Sequence, residues 1–342
     1  MYKYTHFIPQ NIAPFGTKKI GVYNADGKRL FGFPPGRLLP SVDEGQRLYS
    51  FCALSDVHIA YDTANADFQR ALTFAENSDC AFTCICGDLT VDGSDTQLAA
   101  YKNVVDTYAK TKPVYAISGN HEALTTPNTD ERIQPYTGQP LYYSFEYDND
   151  VFIMLGEYRF NNVAIFADGE LQWLYETLEA NRNKRCFVFF HVFPWGDSGN
   201  ACEIYSSDLF TGTQGNVFLS LLRHYKNVVL FHGHSHLRFA LQEIDEKANY
   251  SDAFGYRSVH IPSISVPRDG DATGSSSMVE VYAESEGYIV DVFDGCIVLK
   301  GRDFIDNDAD GHWLPIATYK IDTTLQTIQA GTFTDSTGTI TI

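Results

Sequence analysis

The chain contains five short apolar runs, and each of them ends in a turn of small or polar side chains. The runs are Leu48–Leu54, Ala81–Cys86, Val114–Ile117, Cys186–Phe190 and Val228–Phe231. Helical periodicity occupies parts of the sequence between them, at about residues 63–77, 95–107, 168–181 and 217–225. Short apolar runs of this kind are typical of buried strands. Strands that alternate with helices predict a largely parallel sheet that is covered on both faces.

Side chains that can bind a metal follow all five runs. They are Asp56, His58, Asp88, Asn120, His121, His191, His234 and His236. Because ligands bind at the carboxyl ends of the strands in such a sheet, we expect these side chains to converge at one edge. Taken singly, Asp88 could cap a helix and His191 could be a core histidine. Five strand ends of the same kind are not explained in that way.

The ligand types in this set indicate the kind of metal site. Oxygen and imidazole ligands without cysteine favour Mn, Fe, Zn or Co over a structural zinc site. The set is too large for one tetrahedral ion. Two ions that share a carboxylate, about 3.5–4 Å apart, fit the number and are used in phosphoester hydrolysis.

Beyond these runs, the sequence predicts mainly β structure. Two strands, Ile20–Tyr23 and Arg29–Phe33, are expected to form an N-terminal hairpin, and Tyr142–Tyr147 pairs with Val151–Leu155. Long loops are expected at 124–139 and 195–215. The strand candidates after His236 suggest a second sheet packed on the first; they are Gly255–Ser265, Met278–Ala283, Gly287–Val292, Cys296–Lys300, Thr318–Asp322 and Leu325–Ile328. We therefore divide the chain into a β-rich extension at 1–46, a catalytic domain at 47–305 and a β-rich tail at 306–342.

Charge and composition restrict the class of partner. The chain has 342 residues and a formal net charge of −18, which disfavours extended nucleic acid and anionic membranes as partners. A small phosphoester held by metal ions remains compatible with this charge. The seven cysteines lack metal or redox spacing, so we interpret them as buried free thiols of a reducing compartment. No apolar run is long enough to span a membrane and no signal peptide is evident, so we expect a cytoplasmic protein. The oligomeric state stays open.

Five motifs together resemble the calcineurin-like metallophosphoesterases. They are DVH at 56–58, GDLTVDG at 87–93, GNHE at 119–122, His191, and GHSH at 233–236. The resemblance extends over about residues 47–300, and the GDLTVDG form is more similar to the bacterial phosphodiesterase-type branch. It implies an α/β fold with four layers, α-β-β-α, in which two mixed sheets are flanked by helices; the small β appendages lie at both ends.

The resemblance also implies a role for each site residue. Asp56, His58 and His236 would hold one metal ion, Asn120, His191 and His234 would hold the second, and Asp88 would bridge the two. His121 would act as the catalytic general acid, and Glu122 would orient it. The implied function is a dinuclear metal-dependent phosphodiesterase or phosphomonoesterase that acts on a small substrate through a metal-bridging hydroxide. The alternative is a binding or scaffold module on the same fold, in a phage-like or cell-surface assembly.

Several weaker signals have structural readings beside the functional ones. His232 is expected in the core or behind the ligands, His260 in a structural position, and Asp92 in a turn or cap. One of three arginines, Arg257, Arg268 and Arg302, could contact the substrate phosphate. Aromatic residues of the long loops could stack on a substrate or only pack the loops; they are Tyr136, Phe193, Trp195 and Tyr205. The stretch Asp306–Gly311 begins like a calcium loop, but Ala317 stands where the loop's last ligand belongs, so an acidic turn is expected.

Overall fold

A computed structural model describes most of the chain. The described residues are 20–23, 29–33, 45–61, 63–159, 165–192, 213–239, 250–251, 255–269, 279–280, 284–307, 313–323, 332–335 and 338–341. The predicted strand Leu325–Ile328 and most of the loop 195–215 lie outside these residues, as do Phe193, Trp195 and Tyr205.

The helices and strands follow one another along the chain with short connections. The helices are α1 (Ala64–Asn77), α2 (Asp95–Tyr108), α3 (Asn120–Ala123), α4 (Asp130–Thr137), α5 (Glu170–Ala180) and α6 (Thr213–His224). The strands are β1 (Ile20–Tyr23), β2 (Arg29–Phe33), β3 (Tyr49–Leu54), β4 (Thr83–Cys86), β5 (Val114–Ile117), β6 (Tyr142–Tyr147), β7 (Asp150–Leu155), β8 (Cys186–Phe190), β9 (Val228–His232), β10 (Tyr250–Ser251), β11 (Arg257–His260), β12 (Arg268–Asp269), β13 (Val279–Glu280), β14 (Glu286–Val292), β15 (Cys296–Asn307), β16 (Trp313–Asp322), β17 (Thr332–Asp335) and β18 (Gly338–Thr341).

Two mixed six-stranded sheets form the centre of the fold. The first has the order β16-β15-β14-β3-β4-β5 and the second has the order β10-β11-β9-β8-β7-β6. In the first sheet β3, β4 and β5 are parallel, and β14, β15 and β16 continue it antiparallel. In the second sheet β7, β8, β9 and β11 are parallel, with an antiparallel strand at each edge. Small two-stranded hairpins pair β1 with β2 and β17 with β18.

The core lies in three layers, which explains why the strands are apolar along their whole length. Alternate side chains of each strand meet between the two sheets, where Phe51, Phe152, Phe187 and Phe231 pack against one another. The intervening side chains of the first sheet pack on α1 and α2, and those of the second sheet pack on α5 and α6. A strand buried on both faces cannot alternate apolar with polar residues. The predicted four-layer fold is confirmed.

The division of strands between the sheets differs from the simplest interpretation of the pattern. The five apolar runs do not form one sheet, because three belong to the first sheet and two to the second. The late strands β14–β16 extend the first sheet instead of building the second, and β15 runs across the predicted boundary at 305/306. The residues predicted as a loop at 124–139 contain α4, whose left-handed Gly138 ends it. The predicted strand Gly255–Ser265 is shorter, since only Arg257–His260 is extended in a ladder.

A buried ion pair holds the two sheets together at the end opposite the metal-binding residues. Arg185 donates from Nε and Nη2 to both carboxylate oxygens of Asp150, at 3.1 and 2.6 Å. Its Nη1 donates to the carbonyl of Phe293 at 2.8 Å and to Oγ1 of Thr323 at 2.9 Å. Tyr49 of the first sheet donates to the same carboxylate at 2.6 Å. The two charges compensate each other within the second sheet, and the hydrogen bonds with Tyr49, Phe293 and Thr323 connect the pair to the first sheet.

Candidate metal centre

The predicted ligands lie at the carboxyl ends of strands from both sheets. Asp56 and His58 follow β3, Asp88 follows β4, and Asn120 begins α3 just after β5. His191 and the pair His234 and His236 follow β8 and β9 of the second sheet. All of these side chains are buried or half-buried. The two sheets thus each contribute part of one polar cluster at a shared edge.

The cluster divides into two groups that share one carboxylate. Ligand atoms of Asp56, His58, Asp88 and His236 all lie within 4.8 Å of one another, and so do those of Asp88, His191 and His234. Asn120 adds an oxygen to the second group, because its Oδ1 lies 2.8 Å from Nδ1 of His234. The resemblance implies the same division, with Asp88 common to both groups.

The contacts inside each group are short. In the first group, Nε2 of His236 lies 3.0 Å from Oδ1 of Asp56 and 3.0 Å from Nε2 of His58. Oδ2 of Asp88 lies 3.6 Å from Nε2 of His58 and 3.1 Å from Nε2 of His191. A single carboxylate oxygen therefore faces imidazoles of both groups.

Backbone carbonyls fix the tautomers of two ligand histidines. Nδ1 of His191 lies 2.6 Å from the carbonyl of Cys86, and Nδ1 of His236 lies 3.0 Å from that of Val266. Because a carbonyl only accepts, each Nδ1 carries the hydrogen and each Nε2 turns toward a carboxylate. Nε2 of His191 is buried and faces the Asp88 carboxylate at 3.1 Å without a well-directed hydrogen bond. A lone pair that faces a carboxylate needs a cation between them, so these residues fit a metal ion.

The pKa values of the cluster also indicate that its buried carboxylates are stabilised by positive charge. Burial raises the pKa of Asp56, but the imidazoles of His236 and His191 outweigh burial and hold this pKa well below its usual range. Burial lowers the pKa of His191, yet Asp88 and Asp56 raise it to about 10. Burial lowers the pKa of His234 to about 3 and that of His236 to about 4. Ionised carboxylates and neutral imidazoles are the forms that bind a metal, so His191 must release its proton when an ion binds.

The turns that carry the ligands are conformationally strained. Five of the ligand residues have a positive φ: Asp56 (54°), His58 (47°), Asp88 (48°), His234 (75°) and His236 (61°). Non-glycine residues seldom adopt this region, and each instance costs on the order of 1 kcal/mol. Such strain concentrates at functional sites, where the surrounding contacts enforce it. The fold therefore holds these turns against their local preference.

Two glycines allow the strand ends to approach closely. A Cβ on Gly233 would lie 1.9 Å from Oγ of Ser55 and 2.5 Å from Oδ2 of Asp56. A Cβ on Gly119 would lie 2.3 Å from Oδ1 of Asp88. Gly233 therefore leaves room for the turn that follows β3 of the first sheet.

His121 stands beside the cluster and is partly exposed. Its ring is 27% exposed, whereas the Asp88 carboxylate is 1% exposed, and its Nε2 lies 3.9 Å from Oδ2 of Asp88. Nδ1 lies 2.5 Å from the carbonyl of Val91, so Nε2 is the nitrogen on the side of the cluster. The ring is therefore placed to exchange a proton with a bound molecule.

The Glu122 carboxylate accepts hydrogen bonds from the residues of two turns and not from the His121 ring. Glu122 accepts from the backbone N and Oγ1 of Thr90, at 2.8 and 2.7 Å, and from the backbone N of Gly119 at 2.9 Å. The His121 ring is oriented by the carbonyl of Val91 instead. Glu122 is fully buried and ties the turn after β4 to the turn after β5, which is a structural connection between two ligand-bearing turns.

The weaker candidates from the sequence make contacts within the protein, at different distances from the ligands. His232 is buried on β9, with Nε2 3.1 Å from Oγ of Ser258, as expected for a residue behind the ligands. Asp92 accepts from the backbone N of Ser94 at 2.9 Å, a turn contact. Arg257 donates to the carbonyl of Lys226, and Arg302 lies over the ring of Phe74. Tyr136 pairs with Asp95.

One arginine, Arg268, does lie beside the cluster. Its backbone N donates to the carbonyl of His236 at 2.8 Å, and its positive charge contributes to the lowered pKa of His236, after burial and against the pull of Asp56. Of the three arginines considered from the sequence, it is the one next to the ligands.

Sequence reasoning missed three groups that surround the ligands. Glu157 is fully buried just after β7, and the apolar strand Val151–Leu155 that was predicted before it is the signal that could have revealed it. His260 was predicted to be structural; its Nε2 lies 2.9 Å from Oγ of Ser235, between the two histidine ligands of the last turn. Ser263 and Ser265 both donate to the carbonyl of Asp56. Serine hydroxyls give no recognisable pattern in a sequence, so these contacts could be identified only from the tertiary structure.

A family model and several solved structures match this chain. The model of the calcineurin-like phosphoesterase family matches residues 49–238. No curated protein sequence matches. A dimetal phosphatase from Danio rerio is similar in structure, with a TM-score of 0.57 and 15% identity over 82% of this chain and 100% of that one.

Two further solved structures share the fold. A purple acid phosphatase from yellow lupin seeds has a TM-score of 0.52 and 14% identity over 89% of this chain and 59% of its own. The anchor in the inner membrane complex of Plasmodium has a TM-score of 0.51 and 14% identity over 83% of this chain and 91% of its own. At these identities the likeness establishes the architecture alone.

Proposed function

The chain belongs to the calcineurin-like phosphoesterase family, and we propose that it hydrolyses small phosphoesters with the help of two metal ions. The observation that carries this proposal is the sharing of Asp88 between two groups of ligands. Asp56, His58 and His236 would hold one ion, and Asn120, His191 and His234 the other. When bound, two such ions polarise water and neutralise the oxygens of a phosphoryl group.

The protein's own residues would position the substrate and move protons. The ligand turns are fixed by carbonyl contacts to His191 and His236, so their imidazoles need little reorganisation when an ion binds. His121, whose Nδ1 is bound by the carbonyl of Val91, would as the imidazolium donate its Nε2 proton to the leaving alkoxide and become neutral. The metal identity within Mn, Fe, Zn and Co is left to measurement, because this ligand set accepts each of them.

We propose a small phosphodiester or phosphomonoester as the substrate, with Arg268 as the side chain that binds its phosphate. A guanidinium beside His236 could bind two phosphoryl oxygens at once. The charge of −18 disfavours extended nucleic acid. The GDLTVDG turn at 87–93 supports the bacterial phosphodiesterase-type branch and therefore a diester preference.

We also propose a reducing, cytoplasmic location. The cysteines that the structure describes, all except Cys202, are buried and form no disulfide among themselves. No helix among the described residues is both long and apolar enough to cross a membrane.

A scaffold role is the second candidate, because one similar structure is described as an anchor in a membrane complex. The experiment that separates the two is turnover of bis(p-nitrophenyl) phosphate and p-nitrophenyl phosphate by the metal-loaded protein, with Asp88→Asn as control. Turnover that Asp88→Asn abolishes supports the enzyme. Two bound ions without turnover of either ester, or of natural phosphoesters, would favour the scaffold.

A further inference from the structure

Ser263 lies in the segment after β11, where the two sheets meet behind the ligands. It is fully buried and forms a parallel bridge with Ser55, the residue before Asp56. The backbone N of Ile264 donates to the carbonyl of Ser55 at 3.1 Å, and the backbone N of Glu286 donates to the carbonyl of Ser263 at 3.1 Å. The position of Ser263 is therefore fixed from both sides by the first sheet.

The hydroxyl of Ser263 uses its full hydrogen-bonding capacity. Oγ donates to the carbonyl of Asp56 at 2.9 Å. It accepts from the backbone N of Ser265 at 3.2 Å and from that of Val266 at 3.0 Å. One donor and two acceptor positions are all that a hydroxyl offers. The same atom thus holds the Asp56 turn and shapes the turn that ends at Val266.

Val266 connects the Ser263 hydroxyl to a second ligand, His236. Its carbonyl accepts the hydrogen of Nδ1 of His236 at 3.0 Å, which sets the tautomer and the orientation of that ring. The hydroxyl of Ser263 is consequently linked to Asp56 on one side and, through Val266, to His236 on the other. Both of these ligands sit in strained backbone, with φ of 54° and 61°.

We propose that Ser263 is a positioning residue for one of the two metal ions, the one assigned to Asp56, His58 and His236. This inference rests on the proposed dinuclear site. Two ligands of that ion depend on one hydroxyl, which keeps a carboxylate of the first sheet and an imidazole of the second at a fixed separation. The second ion depends on other contacts: His191 is oriented by the carbonyl of Cys86, and Asn120 lies on α3.

The test is a calorimetric titration of the metal-free protein with Mn²⁺. The number of ions that remain bound after dialysis is measured as a second readout. Ser263→Ala should weaken the binding of one of the two ions about 10- to 100-fold and leave the affinity for the other ion unchanged. In a His58→Ala background, which removes the same site, Ser263→Ala should have no further effect on the remaining ion. Ser263→Thr, which keeps the hydroxyl, should restore the lost affinity.

Two controls separate positioning from general destabilisation. Ser50→Ala removes another buried serine hydroxyl, which donates to Asp291 at 2.6 Å on the far part of β3, and should change neither ion. The Tm of each metal-free variant reports folding; if Ser263→Ala does not fold, Ser265→Ala removes the weaker 3.2 Å bond to the Asp56 carbonyl and should give a smaller loss at the same ion. Unchanged affinities in the variant that folds, or equal weakening of both ions, would overturn the inference. A wild-type protein that binds no pair of ions would instead overturn the proposed function.

Discussion

Oδ2 of Asp88, which follows a strand of the first sheet, lies 3.1 Å from Nε2 of His191, which follows a strand of the second sheet. The two residues are 103 positions apart in the sequence, and both are buried. With Nδ1 of His191 committed to a carbonyl, only a proton or a metal ion can occupy the space between this nitrogen and the carboxylate. The candidate metal centre is therefore formed by the packing of the two sheets.

Asp88 should matter to both ions at once. Asp88→Asn keeps the shape but removes the charge, so we expect both metal affinities to fall, by more than the roughly 100-fold typical of residues behind the ligands. His58→Ala and His191→Ala should each remove mainly one ion. Calorimetric titration with Mn²⁺ measures this; an Asp88→Asn protein that loses one ion and keeps the other intact would show that Asp88 does not bridge.

His121 should act on the leaving group and not on metal binding. We expect His121→Gln to retain both ions and to lose about 10²- to 10⁴-fold in kcat with alkyl phosphoesters, whose leaving alkoxide needs a proton. With p-nitrophenyl esters the loss should be small, because that leaving group departs without one. Rates for both ester types, measured with the same metal loading, test the role. Equal losses on both would assign His121 to substrate binding instead.

Glu157 should make the folded protein less stable as pH rises. Burial raises its pKa well above the ordinary value, so between about pH 4.3 and its folded pKa the native state holds a proton that the unfolded state releases. Stability is then lost with rising pH across that window. Glu157→Gln removes this pH-dependent loss of stability. The free energy of unfolding of the variant minus that of the wild type should therefore increase from pH 5 to pH 8 by roughly 1 kcal/mol or more.

Urea denaturation at the two pH values measures the effect of Glu157. Glu176→Gln on the exposed face of α5 is the matched control and should show no pH-dependent difference. A Glu157→Gln variant whose stability relative to wild type does not change with pH would contradict a buried, protonated Glu157.

Arg185 should contribute more to the stability of the fold than Arg182, which lies close to it in the sequence. Arg185→Met leaves Asp150 buried without its partner, and we expect a loss of about 3–5 kcal/mol. Arg182→Met breaks an exposed pair with Glu179 at 2.8 Å and should cost about 0–1 kcal/mol. Chemical denaturation of the metal-free proteins compares them. Similar small losses in both would mean that the buried pair contributes little to holding the sheets.

Much of the site could be predicted from the sequence, because each ligand immediately follows an apolar run. The carboxyl ends of parallel strands meet at one edge whether the strands belong to one sheet or two, so assigning all five runs to one sheet did not disturb the prediction of the cluster. The orientation of His121 could not be predicted, since it depends on the carbonyl of Val91, and a backbone atom leaves no trace in the residue type. The connection from Ser263 to Asp56 spans 207 residues and likewise required the tertiary structure.

The central claim is that two metal ions share Asp88, and electron paramagnetic resonance of the Mn²⁺-loaded protein tests it most directly. The wild type should bind two ions whose spectrum shows magnetic coupling between them, and His191→Ala should retain one uncoupled ion. A wild-type spectrum of a single ion, or of two ions without coupling, would contradict the shared centre on which the proposed phosphoesterase function depends.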